Sequence, residues 1–134
     1  MESPSFSIKS SSSEREIFFL DPTEDGFTVA YHSIDVQASC GVYEFLHNDG
    51  IATLLQRLAS FERPWPGSEQ WSSLEGEFSI SATCSPLGIV TFIVDLSGLS
   101  GAPEEWRLVA SLTSELGQLQ GISRRASSFF RVGT

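Results

Sequence analysis

The chain has little of what marks a metal site, a disulfide scaffold or a membrane segment. Its 134 residues include two cysteines, two histidines, one methionine and a single lysine. Cys40, Cys84, His32 and His47 form no Cys-X-X-Cys or His-Glu-X-X-His pattern, so the ligand spacing of structural and catalytic zinc sites is missing. Two cysteines are too few for a disulfide framework. Both occupy apolar positions of alternating segments and read as buried, reduced thiols, with a disulfide between them as the alternative. No run approaches ~18 consecutive apolar residues, so no membrane-spanning helix is expected. The opening MESPSFSIKS lacks the basic flank and apolar core of a secretion signal. A cytoplasmic protein without metal or other cofactor is the expectation.

Positive charge is scarce as well. Seventeen acidic against eight basic residues give a net charge of −9. Binding nucleic acid directly requires clustered Lys and Arg to neutralise phosphates, so no such contact is expected, whereas a basic protein partner is compatible. Arg124, Arg125 and Arg131 make the final segment locally basic, which reads as an answer to a helix dipole. Despite 23 serines, the chain has no G-x-S-x-G nucleophile elbow and no phosphate-cradling glycine loop. Glu75 and Glu77 would share a strand face about 7 Å apart, a spacing that overlaps that of glycosidases. A solvent-facing pair lacks the walls that raise one carboxyl pKa, so no enzyme is expected.

What the chain does have is apolar patterning: 40% apolar residues and ten phenylalanines, enough for one domain over residues 1–134. Phe6 with Ile8, and Ile17 to Leu20, flank the serine run Ser10 to Ser13 and read as two strands joined by a loop. DPTEDG (Asp21 to Gly26) is a turn signal. Phe27, Val29 and Tyr31, then Ile34, Val36, Ala38 and Cys40, alternate as half-buried strands, with Gly41 marking a bulge before Val42. Asn48 or Asp49 would cap a helix whose stripe is Ile51, Leu54, Leu55, Leu58 and Phe61, ended by Pro64. Phe78 to Cys84, Val90 to Leu96 and Trp106 to Leu112 form a three-strand meander, turned at SPLG (Ser85 to Gly88) and through the loop Ser97 to Glu105. A last helix should start near Ser114 and fray at Gly117 and Gly121. The predicted class is α+β: an antiparallel sheet of about seven strands with both helices packed on one face.

The joint between the first helix and the meander, ASFERPWPGSEQWSSLEGEFSI, carries Trp65 and Trp71 around a Pro–Gly segment. Two readings stand: both indoles close over the helix–sheet edge, or they form an exposed aromatic binding spot.

W-P-G (Trp65 to Gly67), W-S-S-L-E-G-E-F (Trp71 to Phe78), Gly88, the V-x-F-x-V-x-L strand from Val90, Trp106 and E-L-G-Q-L (Glu115 to Leu119) together resemble an uncharacterised family of small bacterial proteins akin to the WapI-type immunity proteins of polymorphic toxin systems. The resemblance covers roughly Tyr31 to Phe130. Where relatives often carry Gly-His, this chain has Gly88-Ile89. The resemblance implies a non-catalytic cytoplasmic antidote that binds and neutralises a cognate toxin domain, in such systems often a basic nuclease. It transfers no catalytic or contact residue. The partner-binding candidates are therefore the two tryptophans, Trp65 and Trp71, and the turn carboxylates Asp21, Glu24, Asp25, Glu104 and Glu105. A small-ligand-binding or other protein-interaction domain is the alternative.

Overall fold

The computed structural model describes residues 4–44 and 50–132. They form β1 (Ser5–Lys9), β2 (Glu16–Thr23), β3 (Gly26–His32), β4 (Gln37–Tyr43), α1 (Ile51–Ala59), β5 (Glu69–Ser72), β6 (Phe78–Cys84), β7 (Ile89–Gly98), β8 (Trp106–Glu115), a 3-10 turn at Leu116–Gln118 and α2 (Leu119–Val132). The class is α+β as expected, but there is no single seven-strand sheet. Two four-stranded antiparallel sheets, β1-β2-β3-β4 and β5-β6-β7-β8, are each wound in chain order. The additional strand, β5, comes from the joint that reads as irregular in sequence: Glu69 to Ser72 pair with Ser79 to Ala82 of β6. Alternation specifies that a strand has one dry face; it does not specify which sheet the strand joins.

Both dry faces meet one core. Phe19 of β2 and Phe78 of β6 approach edge to face across the two sheets, with ring centroids 6.0 Å apart. Phe6 stacks on Phe19 at 4.4 Å, and Phe129 of α2 closes on Phe6 at 5.2 Å. Within α1 the predicted stripe is buried at Ile51, Leu54, Leu55 and Leu58, while Phe61 lies beyond the helix end. Helix α2 packs on β1 and β2, and α1 packs on α2 and β5, so the helices close the core across both sheets instead of sharing one face. The predicted cap at Asn48 or Asp49 falls outside the described residues.

The serine run has a structural task. Edge strand β8 turns the backbone of Thr113 and Ser111 away from β7, and the β1–β2 loop covers it. Ser11 N–H donates to the Thr113 carbonyl (2.9 Å), and Arg15 Nη1 donates to the Ser111 carbonyl (2.9 Å). A sheet edge closed in this way presents fewer free groups to stray strands.

Several local expectations are corrected. Ile34 and Val36 are not strand residues: they lie in the β3–β4 loop, 80% and 44% exposed. Ser33 closes that loop by accepting from Val36 N–H at Oγ and donating to the Val36 carbonyl. The β3–β4 register runs unbroken through Gly41; the bulge is in β2, between Leu20 and Thr23. Pro22 there has no N–H for the ladder, and Asp21 takes φ 50°, a left-handed conformation its short polar side chain tolerates. Strand β8 continues to Glu115, and α2 begins only at Leu119. Gly117 therefore sits in the 3-10 turn and does not weaken the helix.

Candidate functional site

The two tryptophans resolve differently. Trp65 is 4% exposed, stacks on Phe61 with centroids 5.0 Å apart, and donates its indole N–H to the Ala82 carbonyl at 3.3 Å. It is a core residue of the helix–sheet junction, which corrects its candidacy as a binding residue. Trp71, on β5, is half-buried against Phe78, 6.3 Å between centroids. The carboxylates Asp21, Glu24 and Asp25 are exposed at the β2–β3 turn, and Glu104 and Glu105 are exposed in the β7–β8 loop. Glu105 is partly engaged, its Oε1 accepting from Gly101 N–H at 2.7 Å.

The structure brings together a group that sequence reading left dispersed. Strand β4 is the last strand of its sheet. Glu44 N–H bonds back to Asp25 on the β3 side, whereas Tyr43 N–H points the other way, to Glu77 Oε2 at 3.2 Å. Residues alternate in this respect along an antiparallel strand, so Gly41 and Ser39 also turn their N–H and C=O groups away from β3. Beside that edge lies an open groove of about 370 Å³, bordered by Ser39, Cys40, Gly41, Glu77, Leu99 and Trp106. The β7–β8 loop that carries Glu104 and Glu105 starts at this rim with Leu99, whose φ is 55°.

Glu77 is oriented, not free to wander: Ser73 Oγ donates to its Oε1 while Tyr43 N–H holds Oε2. Its expected pairing with Glu75 does not form. Both residues lie in the turn that links β5 to β6, and Glu75 is exposed, so the two do not stand on one strand face. Trp106 faces Gly98 across the β7–β8 hairpin, and a Cβ on Gly98 would lie 2.3 Å from the indole. Glycine is required there for the ring to lie flat on the backbone. Gly98→Ala is expected to push the indole into the groove at a cost of about 1–3 kcal/mol. Its emission should shift to the red; an unchanged spectrum with unchanged melting would refute the packing.

Cys40 and Cys84 are free thiols, half-buried where full burial was expected. Burial, reinforced by the Glu77 charge, pushes the Cys40 thiol from 9.0 up to about 11. Burial raises Cys84 also. A thiol raised from 9.0 to about 11 holds about a hundredfold less thiolate near pH 8, so Cys40 should alkylate about a hundredfold more slowly than an ordinary cysteine. Its rate should keep rising past pH 10, measured by mass spectrometry of the Cys40 peptide. Such a thiol suits neither nucleophilic attack nor metal binding at neutral pH, and among the described residues no three His, Cys, Asp or Glu side chains are placed to hold a metal. His32 is exposed beside the Phe18 ring, and His47 lies outside the described residues.

An oriented carboxylate, an indole and the outer edge of β4 meet at this groove. The chain belongs to a family of unknown function, DUF6228, whose model matches residues 8–133. No curated protein and no solved structure is significantly similar to it. Among the described residues no helix is long and apolar enough to cross a membrane.

Trp106 and Glu77 were missed as site residues because neither has a local signature. Trp106 reads as one more apolar strand position, and Glu77 as half of a carboxylate pair. The only clue was Gly98, a glycine at the end of an apolar strand, where close approach of a ring or backbone is common.

Proposed function

We propose that the chain is a non-catalytic, cytoplasmic immunity-type protein that binds and neutralises a cognate toxin domain, as the resemblance to the WapI-type family implies. The observation that carries the reading is the β4 edge with Glu77 and Trp106 beside it, on a chain of net charge −9. A basic toxin domain, such as a nuclease, would add an extended segment along the Ser39 and Gly41 part of that edge and set a Lys or Arg side chain against Glu77. Backbone bonds would supply affinity, and the cationic side chain specificity.

Co-expression with the toxin domain encoded beside the gene is the direct test. Growth should be restored and a one-to-one complex recovered; no rescue and no complex would sink the proposal.

The turn carboxylates are assigned to encounter. Glu104→Lys should slow association with a basic partner at low salt, from an electrostatic gain of up to ~10²–10³, and leave melting unchanged. The effect should fade as the Debye length falls from about 10 Å at 0.1 M salt to about 3 Å at 1 M. Glu104 is the cleaner position, because reversing Glu105 also removes its bond to Gly101. Stopped-flow association over a salt series reads this, and a rate indifferent to both salt and reversal would exclude steering.

The alternative of a small-ligand-binding domain draws on another place, a basic pocket beside α2.

A further inference from the structure

Arg124 and Arg125 are not explained by the helix dipole. Helix α2 runs from Leu119 to Val132, and Arg131 is the basic residue of its last turn; Arg124 and Arg125 stand near its middle. Both guanidinium groups converge over a single glycine. A Cβ on Gly121 would lie 3.5 Å from Arg125 Nη1 and 4.0 Å from Arg124 Nη2. Lys9 of β1 lines the same open pocket of about 420 Å³, which has no Asp or Glu in its wall. Among the described residues the close ion pairs are Arg57 with Glu69 and Arg107 with Asp95, and none of these three cations belongs to one. Lys9 is the most compensated of the three: it stands across the sheet from Glu16, whose carboxylate accepts from Ser7 Oγ and keeps its charge, and it also acts on Glu14.

Arg124 and Arg125, with Lys9 at the rim, gather positive charge at one pocket in a chain with only eight basic residues, and no Asp or Glu lines it. Buried Ser114 donates Oγ–H to Gln118 Oε1 at 2.7 Å, and Gln118 also lines the pocket. Arginine forks match phosphoryl oxygens two at a time, and a phosphate group carries about −1.5 to −2 charges near pH 7. We infer that the pocket bounded by Lys9, Gln118, Gly121, Arg124 and Arg125 binds the phosphate group of a small phosphorylated ligand. Its volume falls within the roughly 300–1,000 Å³ of small-molecule pockets. An extended nucleic acid is disfavoured, because its further phosphates would run onto a surface where five remaining basic residues face seventeen acidic ones. The site does not depend on toxin binding and stands or falls separately.

The test is calorimetric titration of the full chain with inorganic pyrophosphate, with sulfate, and with a single-stranded oligonucleotide, at fixed ionic strength. Pyrophosphate should bind one to one, at least roughly tenfold more tightly than sulfate, and Arg124→Gln or Lys9→Gln should each weaken it by roughly tenfold. These two variants are preferred because Arg125 also donates to the Ser7 carbonyl, and its loss would disturb the α2–β1 packing. Sulfate binding as tightly as pyrophosphate, or affinity indifferent to both substitutions, would overturn the site. Oligonucleotide affinity that exceeds pyrophosphate and grows with length would overturn the small-ligand assignment.

Discussion

Trp65→Ala should lower the unfolding free energy by about 3–5 kcal/mol, the cost of emptying a large aromatic site in a packed core. The indole is 4% exposed, stacks on Phe61 beyond the end of α1, and bonds to Ala82 of β6. Removing it opens the contact between the first helix and the second sheet and removes the indole bond to the Ala82 carbonyl. Trp65→Phe refills most of the volume and should retain only the loss of that bond, about 0.5–1.5 kcal/mol. Trp71→Ala should cost less than Trp65→Ala, since one side of that indole faces water. Urea melts of the three variants decide it. Wild-type stability for Trp65→Ala would mean that the indole does not join helix to sheet.

Trp106→Ala and Glu77→Gln should each weaken toxin binding by at least about 2 kcal/mol, the threshold of an interface hot spot and roughly thirtyfold in Kd. Trp106 supplies an aromatic wall, and Glu77 a carboxylate fixed by Tyr43 and Ser73. Gln keeps the shape of Glu77 and one of its two accepting oxygens while removing its charge, so the variant also needs a melting curve, and loss of affinity with retained melting assigns the effect to the charge. Because Trp106 also covers Gly98, its variant needs a melting curve beside the binding curve. Full affinity in both folded variants would move the interface away from the β4 groove.

Much of the architecture is legible in the residue pattern because it rests on short-range physics. The period-two runs at Phe27 to Tyr31, Phe78 to Cys84 and Val90 to Leu96 are strands, and Ile51 to Leu58 is a helix. The pattern misleads where alternation persists through a hairpin loop, as at Ile34 and Val36, since exposure there follows from the Ser33 closure and not from periodicity. It also overlooks β5, four residues whose pairing with β6 outweighs weak local preference. Of the candidate site, the exposed turn carboxylates Glu24, Asp25, Glu104 and Glu105 were readable from turn composition. Glu77, Trp106 and the Lys9–Arg124–Arg125 pocket were not, because their members are distant in the chain and meet only when the sheets and α2 are packed.

The sequence by itself determined the α+β class, the dry faces of most strands and helices, the acidic balance and the lack of zinc-ligand spacing, all properties of composition and local period. Only the tertiary structure decided that eight strands divide into two sheets, that Trp65 lies inside the core, and that three cations share one pocket. Those outcomes depend on which faces meet across the core. Side-chain periodicity gives a strand its inward face and leaves its neighbour to be selected by long-range packing.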